Sequence, residues 1–210
     1  THAHFDHFYG LAAFDDLPTY GHESLEAALQ ADQVAAEAAD LGFDPEELRA
    51  PNRPLALARM IDLGDRHVEI VHFGPGHTAG DVVVIVPDAD VIVTGDLYEQ
   101  SAPPAMGADC HLKAWPVALD GILGLVNERT LLVPGHGEPF DRVFAFTQRA
   151  EISAVYGQVE YLIAQGVKLD DALKTGEWQY DDDTIAAVLP IAYAQLAAEG
   201  KVPRPKLRLL

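Results

Sequence analysis

Residues 1–7 have the sequence Thr-His-Ala-His-Phe-Asp-His, which places three histidines and one aspartate in an HxHxDH pattern. In extended backbone, side chains two residues apart point to the same side, so His2 and His4 can present ring nitrogens to one ion, and Asp6 continues the alternation. His7 departs from it, and the following Phe-Tyr-Gly is typical of a turn that brings the His7 ring to a second ion. Clusters of this kind indicate metal sites when partners occur elsewhere in the chain.

Candidate partners for this cluster follow three later strand-like runs. They are His77 in Gly-Pro-Gly-His-Thr-Ala-Gly-Asp (74–81), Asp96 in Thr-Gly-Asp (94–96) and His136 in Pro-Gly-His-Gly (134–137). Each has a glycine beside it, which allows unusual backbone dihedral angles and close backbone approach. We therefore expect these strand ends to converge on the N-terminal cluster.

The four stretches, in this order, resemble the motifs of the metallo-β-lactamase superfamily, and the resemblance covers residues 1 to about 140. It implies an α/β fold, the four-layer αββα sandwich of that superfamily, and a site for two metal ions. By this resemblance His2, His4 and His77 bind the first ion, Asp6, His7 and His136 bind the second, and Asp96 bridges them. Thr78, Gly80 and Asp81 match the remainder of one motif, where we expect them to orient the ligands.

The superfamily pattern places several strands before HxHxDH, whereas this chain opens on the motif at Thr1. We expect one domain over residues 1–210 that lacks its N-terminal strands, with a helical part from about residue 140. A short protein that obtains these strands from a partner is the alternative. A targeting signal would lie upstream of Thr1, so the sequence assigns no localisation.

The composition of the chain argues against some classes of binding partner. The chain has 210 residues, is 49% hydrophobic, and carries 33 acidic against 14 basic residues for a net charge of −19. This charge argues against a nucleic-acid partner, and no apolar run is long enough for a membrane span. A small-molecule substrate is the remaining expectation, with the oligomeric state left open. The single cysteine, Cys110, excludes an internal disulfide and is interpreted as an ordinary small side chain.

The predicted ligand set favours hydrolysis. Two divalent ions about 3.5–4 Å apart can share a hydroxide and clamp both the attacked and the leaving group. Nitrogen and oxygen ligands suit zinc and leave iron and manganese open. Asp6 is the candidate catalytic residue, because one carboxylate oxygen can bind metal while the other accepts a proton from the bridging water. The expected substrate is an ester, thioester or lactone-like small molecule.

Asp96 separates branches of the superfamily, since true β-lactamases usually carry cysteine or serine there, whereas glyoxalase II, lactonase and phosphodiesterase relatives carry aspartate. β-Lactamase and phosphodiesterase activities are therefore alternatives. Two others are a mononuclear-iron dioxygenase of the same fold, using His2, His4 and a carboxylate, and an inactive truncated remnant.

Three further side chains are candidates for substrate contact. Tyr98 follows Asp96 by two residues, and its hydroxyl is a candidate donor to an oxyanion; lactonase relatives have a tyrosine at a spacing of three. His111 lies at the end of the same loop. His22 precedes a predicted helix and is interpreted more readily as part of its start.

The remaining pattern predicts the surrounding elements. We expect hairpins over residues 55–73 and 82–94, and an amphipathic helix from Trp115 that covers the sheet with Trp115 in the core. A helix capped by Ser24 is expected to bury Leu25, Ala28, Leu29, Ala36 and Ala39. Two more helices with an apolar face are expected, the second interrupted by Pro190, and a short helical turn at residues 169–173 lies between them. Residues 201–210 are expected to form a basic extended end.

Overall fold

The computed structural model describes residues 1–204 and contains two sheets. The strands are β1 (Tyr20–His22), β2 (Arg53–Leu55), β3 (Ala58–Asp62), β4 (His67–Val71), β5 (Val83–Val86), β6 (Val91–Gly95) and β7 (Leu131–Pro134). β1 and β2 form a parallel pair, and the other five form one sheet in sequence order. The helices are α1 (Phe5–Phe8), α2 (Ser24–Ala28), α3 (Asp32–Asp40), α4 (Trp115–Leu123), α5 (Arg142–Ala164), α6 (Leu169–Thr175) and α7 (Asp182–Ala198).

The sheet confirms both predicted hairpins. Asp62 pairs with His67 around Gly64, whose φ of +97° is costly for other residues, and Val86 pairs with Val91. β3 to β6 are antiparallel neighbours, whereas β7 lies parallel to β6. The carboxyl ends of β6 and β7 therefore lie at the same edge of the sheet as the start of β5.

The main core lies between the five-stranded sheet and the helical layer of α4, α5 and α7. Trp115 is fully buried, as predicted, and its indole N–H donates to the Leu97 carbonyl oxygen at 3.1 Å. Cys110 is also buried in this core, as expected for a small side chain, and burial raises the pKa of its thiol to about 12.

The region after Ser24 differs from its prediction. Ser24 is the first helical residue rather than a cap, and its hydroxyl hydrogen-bonds with His22 Nδ1 at 2.8 Å. The predicted single helix is divided into α2 and α3, and α3 buries Val34 and Ala38 instead of the expected alanines at 36 and 39. The chain turns between the two helices, so the phase of the apolar pattern begins again at residue 32.

The described chain after Phe140 contains the helices α5, α6 and α7, joined by short irregular segments, and no further strand. The predicted interruption at Pro190 is wrong, because α7 continues through this residue to Ala198. The predicted extended end lies outside the described residues from position 205 onward. None of the helices within residues 1–204 combines the length and apolar character that a membrane span requires.

A buried glutamine joins α5 to the loop that leaves β6. Gln148 Oε1 accepts from the Glu99 backbone N–H at 3.0 Å, and its Nε2 donates to the Glu99 carbonyl oxygen at 2.6 Å. Gln148→Leu leaves both backbone groups unpaired, so we expect a loss of about 1–3 kcal/mol in the free energy of unfolding. Urea denaturation measures it, with Gln158→Ala on the same helix as control. Equal stability of Gln148→Leu and wild type would contradict this role.

Candidate metal centre

One edge of the five-stranded sheet gathers the predicted ligands. The parallel strands β6 and β7 place Asp96 and His136 side by side, and the Gly135 N–H donates to the Gly95 carbonyl oxygen at 3.0 Å. His77 lies in the loop before β5. The N-terminal stretch joins the same edge, since the Val82 N–H donates to the Thr1 carbonyl oxygen at 3.0 Å.

The first group of side chains consists of His2, His4, His77 and Asp96, whose candidate ligand atoms all lie within 4.8 Å of one another. His4 Nδ1 is 3.0 Å from His2 Nε2 and 3.0 Å from His77 Nε2. His2 and His77 are buried at 0% and 1% exposure. Burial lowers the pKa of both imidazoles, that of His77 to about 4, so these two rings are neutral at pH 7 and carry lone pairs.

The second group consists of Asp6, His7 and His136. His136 Nε2 lies 3.1 Å from Asp6 Oδ2 and 3.5 Å from His7 Nε2. This group is more exposed than the first, with Asp6 at the surface. It therefore faces solvent on the side from which a small molecule can approach.

Asp96 links the two groups. Its Oδ2 lies 3.6 Å from His77 Nε2 and 3.5 Å from His136 Nε2, and its Oδ1 lies 3.1 Å from His7 Nε2. The His7 contact lacks hydrogen-bonding geometry, so Oδ1 is a buried oxygen without a hydrogen-bond donor among the described residues. Burial raises the pKa of Asp96, but its contact with His7 and the charges of His77 and His136 outweigh burial and hold the pKa below the usual value.

Hydrogen bonds on the outer side of the rings fix which nitrogen faces inward. His77 Nδ1–H donates to the Ala105 carbonyl oxygen at 3.0 Å, which leaves Nε2 with its lone pair. His4 Nε2 lies 3.0 Å from Asp109 Oδ2, and this hydrogen bond raises the pKa of His4. Thr1 Oγ1 lies 3.1 Å from His2 Nδ1 and 2.9 Å from His7 Nδ1. These partners orient the rings as outer partners of metal ligands do.

The sequence did not indicate Thr1 or Asp109 as members of the site. Thr1 belongs to the opening stretch, but a threonine there carries no metal-binding signal of its own. Asp109 lies in the loop after β6, where the ligand spacing predicts nothing. Glu99 is a further carboxylate beside Asp96 and His136, and its Oε1 accepts hydrogen bonds from the backbone N–H and the hydroxyl of Ser101.

The turn that carries His77 is held by Asp81. Its Oδ2 accepts from the Thr78 backbone N–H at 2.8 Å, and its Oδ1 accepts from the Thr78 hydroxyl at 2.9 Å. Burial raises the pKa of this carboxyl to about 6. Asp81 and Thr78 therefore act on His77 through the shape of the turn.

Of the three side chains expected to contact substrate, Tyr98 is placed elsewhere. Its side chain is fully buried in the core, and its ring packs on Phe140 with centroids 5.3 Å apart. The backbone turns after Asp96, where the Tyr98 N–H donates to the Gly95 carbonyl oxygen, so the alternation expected from an extended strand does not continue. The prediction that Tyr98 donates to an oxyanion is therefore wrong.

The two candidate histidines outside the motifs, His22 and His111, belong to none of the groups of potential metal ligands in the described chain. The His22 ring stacks on His72 with centroids 4.1 Å apart and accompanies the start of α2. The backbone N–H of His111 donates to the Gly76 carbonyl oxygen at 2.8 Å. Substrate contact by either side chain stays a prediction.

Comparison with known proteins identifies the family. The sequence-family model of the metallo-β-lactamase superfamily matches residues 1–138, and the chain belongs to this superfamily. A metallo-β-lactamase type 2 from Bacillus cereus is 28% identical over 144 residues, which cover 68% of this chain and 52% of that protein. An acyl-coenzyme A thioesterase from Bos taurus is 30% identical over 164 residues, covering 69% and 57%. The chain thus spans about half the length of the curated relatives it matches.

A solved structure shows the same fold. The metallo-β-lactamase from Pontibacter korlensis superposes with a TM-score of 0.55 at 25% identity, covering 72% of this chain and 66% of that one. The sheet and helices described above are therefore part of a metallo-β-lactamase sandwich. The two relatives named above, a metallo-β-lactamase and a thioesterase, are hydrolases.

The donor set fits divalent metal ions. Neutral imidazoles and a carboxylate are the ligands that zinc takes in proteins. Asp96 Oδ1 is a buried polar atom without a hydrogen-bond partner among the described residues, and such an atom costs free energy unless something binds it. The cluster can therefore hold metal.

Proposed function

We propose that the cluster binds two divalent metal ions, with zinc as the favoured metal. The first ion has His2, His4 and His77 as ligands, and the second has Asp6, His7 and His136. The observation that carries this proposal is the position of Asp96, whose carboxylate lies within 3.8 Å of ring nitrogens from both groups. One carboxylate between two sets of ligands is suited to bridging two ions.

The reaction that we propose for this centre is hydrolysis of an ester, thioester or lactone-like small molecule. A pair of divalent ions supplies activation of water at neutral pH and polarisation of the attacked carbonyl. Asp6 Oδ2 lies beside His136 Nε2, and the Asp6 side chain is 32% exposed. It is placed to accept a proton from the attacking water and to release it to solvent.

Two observations rank the candidate substrates. The thioesterase relative and the aspartate at position 96, which by resemblance is typical of the esterase-like branches, favour an ester or thioester. The Bacillus cereus relative supports β-lactam hydrolysis as a second candidate function.

The test is a panel of generic esters, thioesters, lactones, β-lactams and phosphodiesters, assayed with zinc-loaded and chelator-treated protein. We expect zinc-dependent hydrolysis of at least one ester, thioester or lactone. β-Lactam turnover in preference to all of these would establish the second candidate. No metal-dependent turnover of any member would reject hydrolysis.

Asp109 provides a separate test of how the first ion is held. Asp109→Ala removes the acceptor at His4 Nε2, so the His4 ring is free to rotate, and we expect metal affinity to fall by about 10–100-fold. Asp109→Asn retains an acceptor oxygen and should recover most of the affinity. Competition with a chromophoric zinc chelator measures both. Wild-type affinity in Asp109→Ala would show that this hydrogen bond does not orient the ligand.

A further inference from the structure

An open groove of about 740 Å³ extends from the metal centre between α2, α3 and the turn after His77. His4 and Asp109 line the groove, so it is continuous with the proposed site. Its volume lies in the range of small-molecule pockets, about 300–1,000 Å³. Six alanines form most of its apolar wall: Ala3, Ala27, Ala28, Ala31, Ala79 and Ala108.

The methyl side chains of these alanines make most of this wall apolar. Val34 adds to the apolar surface, and the remaining polar groups include Ser24, Gln33 and Thr78. A wall of methyl groups offers burial to a hydrocarbon chain but little directed hydrogen bonding. It suits an unbranched chain better than a polyfunctional ring.

The charges around this groove have one sign. Glu37 and Asp109 are its charged side chains, and neither lysine nor arginine lines it in the described chain. The two segments that build its walls extend this pattern. Residues 1–48 carry eleven acidic residues and no lysine or arginine, and residues 67–112 also lack both.

The negative field disfavours anionic groups in the groove. Glu37 Oε2 accepts from the Tyr9 hydroxyl at 2.6 Å, and Asp109 accepts from His4, so both carboxylates are held in place. A substrate carboxylate placed in the groove would meet these charges, and no lysine or arginine among the described lining residues would pair with it. The ions of the metal centre attract the reacting carbonyl, not the far end of a chain lying in the groove.

We propose that this groove binds the acyl chain of the substrate, and that the chain is unbranched, apolar and free of negative charge. The inference rests on the proposed hydrolysis and adds the class of acyl group. An acyl chain ending in a carboxylate is excluded by the charge of the groove.

The experiment compares two esters of equal length and the same leaving group, 4-nitrophenyl hexanoate and mono-4-nitrophenyl adipate, with zinc-loaded protein. We expect kcat/KM for the hexanoate to be higher by roughly tenfold or more, which corresponds to about 1.4 kcal/mol. The ratio should shrink at high salt, since the discrimination is electrostatic. Equal rates, or preference for the adipate, would overturn the inference while leaving hydrolysis intact. Turnover of neither ester, together with failure of the wider panel, would reject the proposed function itself.

A charge placed in the groove provides the matched test. Ala27 is exposed on α2 and lines the groove, so Ala27→Lys adds a cation without disturbing the core. We expect it to raise kcat/KM for the adipate by several-fold and to raise the ratio of adipate to hexanoate kcat/KM. Ala36→Lys, also exposed but on α3 outside the groove lining, is the control. An equal effect of both variants would show that general surface charge, not the groove, selects the substrate.

Binding without turnover gives an independent readout. In NMR titrations of metal-free protein, hexanamide should shift resonances of Ala28, Ala31 and Ala79 at lower concentration than hexanoate does. Ala27→Lys should reduce or reverse this order. Shifts confined to other surfaces would contradict the assignment of the groove.

Discussion

Asp6→Asn is expected to retain most of the bound metal while kcat falls by about a hundredfold to ten-thousandfold, the usual range for loss of a general acid or base. The amide oxygen of asparagine can still approach His136 and the second ion. It cannot accept a proton from the attacking water at useful pH. Turnover should therefore fall while KM changes little.

Metal content and kcat are measured on the same samples, with Asp16→Asn, an exposed carboxylate outside the ligand groups, as control. Full metal content with wild-type kcat would show that Asp6 is only a ligand. A parallel fall of metal and kcat would contradict the expected retention of metal and assign the loss of rate to the missing ion.

Gly135→Ala is expected to abolish binding of the metal pair. A Cβ atom at this position would collide with Asp96 Oδ1 and lie 3.1 Å from His7 Cε1, so either the bridging carboxylate or the end of β7 must move. The backbone of Gly135 does not have positive φ, so the substitution acts through this collision rather than through backbone strain. Displacement of Asp96 removes the one side chain that links both groups.

Gly157→Ala is the matched control, because a Cβ at this position on α5 meets nothing within 4 Å. Alanine favours a helix by up to about 1 kcal/mol over glycine, so this variant should keep its metal and gain stability. Metal content is measured after zinc loading and desalting. Two ions per chain in Gly135→Ala would contradict the placement of Asp96 between them.

Site residues could be placed from the sequence where a metal-binding residue type follows a strand with a clear apolar pattern. His77, Asp96 and His136 each follow an apolar strand and a turn, so their residue type and position predicted that they meet at one edge of the sheet. The structure brings them together with His2, His4, Asp6 and His7. The β3–β4 and β5–β6 hairpins were predictable for the same reason, because alternating apolar runs flank short polar turns.

Contacts made through irregular backbone were not predictable. Asp109 reaches His4 from a loop without a repeating pattern, so no spacing indicated the contact. Tyr98 was misplaced because the chain turns directly after Asp96 and carries the ring into the core. The groove depends on the break between α2 and α3. The apolar pattern of residues 25–39 predicted one continuous helix, so this break was not expected.

The most direct test of the central claim is elemental analysis of the purified, zinc-loaded protein after removal of free metal. We predict two zinc ions per chain, and reduced occupancy in His77→Ala, which removes a ligand of the first ion. One iron per chain in the protein as purified, before zinc loading, would favour the dioxygenase alternative. A metal content near zero, or two ions retained in full by His77→Ala, would contradict the assignment of the ligands.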